Sequence, residues 1–241
     1  MKAYIITMSD NAESLRLAKI CKESILETES AIQAEHYEAV QPKDFLNATL
    51  AVFDEFIPWT WPTEDSKNGI DFKTNLYLKT YPSSDQNRVK ACALSHFKLW
   101  RKSAEENETI VILEHDALFT KKFNPNDLVS DPSWGAVGLN DPRGNTRKGM
   151  AFHRDLDIKP PGIYPVPVID SSEELPLPMG LAGNSAYIIR PYAARELLKV
   201  VKEVGMWPND AILCRQLFTW LRVTVPYYTN TQRNVSSTTS L

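Results

Sequence analysis

Residues Thr109-Ile110-Val111-Ile112-Leu113 contain four consecutive apolar side chains, and an extended chain that is apolar on both faces must be covered on both. The run therefore belongs inside a sheet with helices on each side. Immediately before it, Val89, Cys92/Ala93, His96/Phe97, Trp100 and Ala104 recur at helical spacing and supply one such helix. The chain start shows the same alternation. Ala3 to Met8 reads as a strand, Ser9-Asp10-Asn11 offers three capping residues, and Leu17, Cys21, Ser24/Ile25 and Thr28 mark an amphipathic helix from Ala12 to about Glu29. Ile32 to Tyr37 reads as a second strand. This βαβ opening predicts parallel strands joined by a right-handed crossover.

The expected class is α/β: an open, mostly parallel, Rossmann-like sheet flanked by helices. A chain of 241 residues holds one large domain, residues 1–241, at about 150 residues per domain with room for insertions. Pro42 starts a helix through about Phe56, Asn124-Pro125 caps a short one, and Trp134 to Leu139 reads as a strand. Ser185 to Ile189 is a strand, Pro191 opens a helix to about Val204, Pro208-Asn209-Asp210 caps a last helix to about Leu221, and Val223 to Tyr228 ends the sheet before a polar tail, 229–241. Two stretches break the pattern. Ile57 to Asn87 is interrupted by prolines and aromatics, and Asn140 to Leu181 carries seven of the 16 prolines with Arg143, Arg147, Lys148 and Arg154. Loops this long inside a domain are commonly functional, and the second is a candidate lid.

Composition removes several function classes. With 43% apolar and 24% charged residues and a net charge of −3, the chain is neither disordered, collagen-like nor a polybasic nucleic-acid binder. Cys21, Cys92 and Cys214 are too few and too widely spaced for a disulfide framework, so they read as reduced thiols of a cytoplasmic protein. No stretch approaches the ~20 apolar residues of a membrane span, and Met1 to Met8 is too short for a signal peptide core. The nine glycines spell neither GxGxxG nor GxxxxGK[ST], and the four histidines make no HExxH.

Ligands of open α/β sheets sit beyond the carboxyl ends of the strands, where Glu114 and Asp116 flank His115. Two carboxylates there suit a hard divalent cation that neutralises charge on a departing diphosphate. The competing reading is that acidic residues merely end strands in Asx turns.

Ala91-Cys92-Ala93-Leu94-Ser95-His96-Phe97-Lys98-Leu99-Trp100, followed by Ile112-Leu113-Glu114-His115-Asp116-Ala117, resembles the "GCALSHxxxW … ILEDDxxF" core of glycosyltransferase family 25. That family includes bacterial lipopolysaccharide sugar transferases and collagen galactosyltransferases. Ala3-Tyr4-Ile5-Ile6-Thr7 stands where the family has its opening "xVINL" strand, and Gly183 to Ile189 with Ala193 and Leu197-Leu198 resembles "GTxGYxIsxxgAxxLL". Pro208-Asn209-Asp210-Ala211-Ile212-Leu213 is similar to "PxDxxL", and Gln232 and Ser236 fall like the terminal "Q…S". His115 replaces the central acid, Ala91 and Ala186 replace glycines, and the first loop has Ser9 and Arg16 without the family's repeated arginines.

The resemblance implies a GT-A type fold acting on a nucleotide-activated sugar, taken as a UDP-sugar, with Mn²⁺ or Mg²⁺. Asp116 becomes the main metal ligand and Glu114 a ligand of metal or ribose. Thr7, Ser9, Arg16, Arg88, Ser95, His96 and Asn184 become candidates for holding the donor, although a helical His on an apolar face is equally a core group. The family is regarded as inverting, and Asp210 is the expected base, against the alternative that it is only a helix N-cap. Asp141, Glu173 and Glu174 are next in line as base. Trp207 and the Trp59/Trp61 pair are candidates for stacking on sugar, or for ordinary core packing. The expected function is transfer to a hydroxyl of a glycan acceptor such as a cell-envelope saccharide. Two alternatives are transfer to a hydroxylated base of DNA, as in some phage enzymes, and a non-catalytic module that binds sugar nucleotide.

Overall fold

The computed structural model describes residues 1–64, 66, 68–80, 83, 85–143, 155–156, 158–168, 176–181 and 183–232. Strand β1 (Lys2–Thr7) leads into helix α1 (Ala12–Glu27), whose first turn is capped by Asn11, its Oδ1 accepting from the amides of Glu13 and Ser14. Strand β2 (Gln33–Glu38) follows, then a 3₁₀ turn at Pro42–Asp44 and helix α2 (Phe45–Phe53). Strands β3 (Gly69–Asp71) and β4 (Leu76–Leu78) form a small hairpin. Helix α3 (Gln86–Glu106), capped by Asp85, runs into β5 (Ile110–Glu114) and β6 (Ala117–Phe119). After α4 (Asn126–Val129) come β7 (Ala136–Gly138), β8 (Gly162–Pro165) and β9 (Ala186–Ile189). Helix α5 (Pro191–Val204), the short α6 (Asn209–Ile212), β10 (Leu221–Val225) and β11 (Thr229–Thr231) complete the described chain.

The main sheet has seven strands in the order β2-β1-β5-β9-β7-β10-β8. Strands β2, β1, β5, β7 and β10 share one direction, while β9 and β8 run against it. The sheet is thus open and mostly parallel, as expected, with the addition that its central β9 is antiparallel to both neighbours. The apolar run is fully buried because alternate residues enter two cores. Ile110 and Ile112 pack with Tyr187, Phe97, Trp100 and Leu197 from α3 and α5, while Val111 and Leu113 pack with Ile5, Ala18, Cys21 and Ile25 on the α1 side.

Several expected bounds are corrected. The second helix ends at Asp54, whose φ of 62° breaks it before Phe56. The last helix does not reach Leu221: Cys214 bridges to Gly180 and the Arg215 amide donates to Met179, so tertiary pairing unwinds the chain after Ile212. The final main-sheet strand starts two residues early, at Leu221, and Thr229 is no tail residue but a buried part of β11, paired with β6. The irregular stretches carry structure too: the β3–β4 hairpin lies in the first, and β8 ties the second to the sheet edge.

Candidate functional site

The ends of β1, β2 and β5 open onto a cavity of about 310 Å³, walled by Met8, Val40, Gln41, Arg88, Cys92, His96, Glu114 and His115 among others. This is the carboxyl edge of the parallel strands. Glu114 reaches it as the last residue of β5, and its side chain is 31% exposed.

A chain of hydrogen bonds holds Glu114 from beneath. Trp100 Nε1 donates to the Tyr187 hydroxyl (2.7 Å), Tyr187 lies 2.9 Å from His96 Nδ1, and His96 Nε2 lies 3.2 Å from Glu114 Oε1. An indole N–H can only donate, so the Tyr187 oxygen accepts there and its own hydrogen is free for His96 Nδ1. The ring hydrogen then sits on Nε2 and points at the carboxylate. His96, with no exposed surface, is thus at once a core group and the support of Glu114.

Beyond Glu114 lies a second group of acids. Asp116 follows the strand by two residues, and burial followed by the Glu114 charge raises its carboxyl well above the ordinary range. Among the described residues its Oδ1 is buried with no partner, as are both amide atoms of Asn184 and the Ser185 hydroxyl just before β9, where the Glu114 amide donates to the Ser185 carbonyl (2.7 Å). Asp210 sits in the first turn of α6. Burial and then Glu114 raise its pKa to about 6, against the pull of first-turn amides and His96. The cap position of that helix is Pro208, with no side-chain cap bond; Asp210 stands in the first turn, where its own amide and that of Ala211 face its carboxylate. The turn is pinned from outside at Gly180, where a Cβ would stand 2.1 Å from the Asp210 carbonyl oxygen. Asp116, Asp210 and Asn184 lie outside the cavity wall; Glu114 is part of it, and its charge bears on Asp116 and Asp210.

The other expected donor-site residues divide. Arg88 is exposed at the cavity wall and pairs with Asp85 at 3.2 Å. Ser95 also lines it, but its hydroxyl accepts from the Val40 amide (2.9 Å) and donates to the Ala91 carbonyl (2.8 Å), so it fastens α3 to the end of β2. Thr7 is buried and donates to Ile5, beside His36 Nδ1; Ser9 is exposed and bound to Glu38; Arg16 is exposed and paired with Glu13. These three stand away from the cavity wall. Trp207 is a core residue, packed on Trp61 with its Nε1 donating to Thr60, and offers no face to a sugar. Asp141 pairs with Arg143. Arg147, Lys148, Arg154, Glu173, Glu174 and Ser236 lie outside the described residues.

Three residues named in the sequence without a role gain one from the structure. His115 turns to the start of α1, its Nδ1 3.2 Å from Ser14 Oγ, and burial lowers its pKa against Glu114 and Glu13. Gln232 locks the acidic turn: its amide donates to the Asp116 carbonyl (2.7 Å) and its Nε2 to Leu17 (3.0 Å). Cys92 precedes His96 by four residues, a spacing that places both on one helix face.

A buried acidic cluster at the carboxyl edge of an α/β sheet is the frame of an enzyme that handles a charged substrate. The model of glycosyltransferase family 25 (LPS biosynthesis protein) matches residues 1–130, more than half of the chain, and the chain belongs to that family. It is a glycosyltransferase, and its reaction is sugar transfer. Among solved structures the chain is similar to the galactosyltransferase LgtC in complex with donor and acceptor sugar analogs, at 10% identity and a TM-score of 0.46 over 97% of this chain and 87% of that one. It is also similar to mouse xyloside xylosyltransferase 1 (11%, TM-score 0.45, 92% and 83%) and to the glycosyltransferase GlyE of Streptococcus pneumoniae TIGR4 (7%, TM-score 0.39, 92% and 44%). No curated protein sequence matches the chain.

Proposed function

We propose that the protein moves a sugar from a nucleotide-activated donor, a UDP-sugar, to a hydroxyl of a glycan acceptor such as a cell-envelope saccharide, with inversion. The observation that carries this reading is the buried, partnerless Oδ1 of Asp116 beside Glu114, at the strand edge that also forms the cavity. A hard carboxylate oxygen kept from water without a hydrogen-bond donor fits Mn²⁺ or Mg²⁺. Asp116 and Glu114 would hold the ion, which when bound neutralises charge on the leaving diphosphate. His96 keeps the Glu114 carboxylate oriented, and Arg88 offers a charge to phosphate at the cavity mouth. Asn184 and Ser185 carry unspent donors for sugar hydroxyls or phosphate. Asp210, with its pKa near 6, is ionised at neutral pH yet basic enough to take the acceptor proton as the new bond forms.

Among the described residues no helix is long and apolar enough to cross a membrane, and the three cysteines are free, in keeping with a cytoplasmic site of action. A DNA acceptor gains no support, since Arg143, the one described member of the basic loop set, is paired with Asp141. The test is a panel of nucleotide sugars with Mn²⁺ or Mg²⁺, read by thermal shift and by release of nucleoside diphosphate in the presence of saccharide acceptors. Stabilisation by one nucleotide class with turnover supports the reading. Binding without turnover would make the protein a sugar-nucleotide-binding module, and neither binding nor turnover would overturn the proposal.

A further inference from the structure

We propose that Cys92, His96 and Glu114 form a three-ligand site for a borderline-soft divalent cation of the Zn²⁺ type, which shares Glu114 with the hard-cation position at Asp116. One ligand atom from each of the three lies within 4.8 Å of the others. Cys92 and His96 are four residues apart on α3 and so present thiol and imidazole from one face, while Glu114 meets them from the end of β5. All three line the cavity, which leaves a fourth coordination position open to solvent or to a ligand. Three protein ligands with one open position is the pattern of reactive rather than purely structural zinc sites.

The donor set decides the metal. A thiolate and an imidazole favour Zn²⁺ over Mg²⁺ or Mn²⁺, for which Asp116 offers the harder oxygen. The site is also pre-organised: the His96 ring is fully buried and backed by Tyr187 and Trp100, a second shell of the kind that orients metal-binding histidines. Among the described residues, Cys92 Sγ makes a long hydrogen bond, 3.8 Å, to Asn209 Oδ1. Burial first, and then the charges of Glu114, Asp210 and Asp116, hold the Cys92 thiol well above its ordinary range, so it keeps its proton until a cation displaces it. On binding, the S–H bond breaks, the sulfur pair goes to the metal and the proton leaves to water. Within the ring, the proton leaves Nε2, whose lone pair goes to the metal, and one is taken up at Nδ1; the Tyr187 oxygen then accepts from both Nδ1 and Trp100 Nε1 and turns its own hydrogen out of the contact, at the cost of one hydrogen bond. No electron is transferred and no sugar nucleotide is needed, so the site stands or falls apart from the donor reading.

The test uses Co²⁺ as a spectroscopic stand-in for Zn²⁺, added to the full chain without nucleotide. The expected result is a near-ultraviolet thiolate-to-cobalt charge-transfer band that one equivalent of Zn²⁺ removes. The band should vanish in Cys92→Ser, with folding checked by its melting curve, and persist in Asp116→Asn, which leaves all three ligands in place. If Cys92→Ser does not fold, prior alkylation of the half-buried Cys92 in the wild-type chain replaces it. Absence of the band in the wild type, its survival without a free Cys92 thiol, or its loss in Asp116→Asn would each overturn the proposal.

Discussion

Buried polar groups on the two sides of Glu114 are built in opposite ways. Around the ends of β1 and β2 they are spent on the fold: Ser95 joins Val40 to Ala91, Ser14 takes the Met8 amide, and Thr7 bonds Ile5. Toward the acidic turn, Asp116 Oδ1, the Asn184 amide and the Ser185 hydroxyl have no partner among the described residues. A buried polar group left unpaired costs about 1–3 kcal/mol. Four such atoms on Asp116, Asn184 and Ser185, against none on the named hydroxyls, support the proposal that a ligand supplies the missing partners there.

Substitutions can break that contrast. Asp116→Asn should nearly abolish transfer, because a neutral amide is a poor substitute for an anionic ligand of Mn²⁺ or Mg²⁺. The ligand-free variant should melt no lower than the parent, since burial beside Glu114 already disfavours the charge. A melting temperature that still rises with Mn²⁺ would remove Asp116 from the metal site. Asp210→Asn should lower kcat by roughly 10² to 10⁴ with donor binding intact, and the parent's rate should fall as pH drops through about 6. Stability runs the other way. The folded protein holds this proton more tightly than the unfolded chain, about 6 against 3.8, so the group's stabilisation is complete below 3.8 and lost as pH rises through about 6. Above that pH, Asp210→Asn should melt higher than the parent. A variant that loses less than about tenfold in kcat would end its role as base.

Two smaller effects sharpen the contrast. Asn184→Ala should weaken donor binding by roughly tenfold, the worth of a hydrogen bond to a charged group, without loss of stability; a drop in melting temperature with unchanged affinity would mean that Asn184 is frame. Ser95→Ala should do the reverse. It strands the buried Val40 amide, costs about 1–3 kcal/mol in denaturant unfolding, and changes donor affinity little.

The strands and long helices were legible where one physical rule governed them. Ile110–Leu113 had to be internal because both faces are apolar, and α1 and α3 announced themselves by period and cap. The rule failed where distant pairing decides local form. Nothing in residues 213–221 opposes a helix, and only Gly180 and Met179, over thirty residues earlier, pull Cys214 and Arg215 out of it. The site divides likewise. Glu114 and Asp116 were visible as carboxylates ending a buried strand, and Asp210 through a motif. That Ser95 would be consumed by Val40, or that Tyr187 would sit between Trp100 and His96, depends on β2 and β9 meeting α3 across 55 and 91 residues of sequence. A one-dimensional pattern names such residues without saying whether their hydrogen bonds are already taken.

The position of β9 also bears on how the chain is made. Strand β5 is flanked by β1, synthesised earlier, and by β9, which begins more than seventy residues later at Ala186. Until the ribosome has delivered that segment, Ile110 to Leu113, the most apolar stretch of the protein, presents an open strand edge, the kind of template on which nascent chains associate wrongly. Residues 1–130, although they carry the family match, are therefore not a unit that closes on itself. Expression of that piece alone should yield aggregate, and the late strand bearing Tyr187 completes the barrier to self-association in the same step that sets His96 against Glu114.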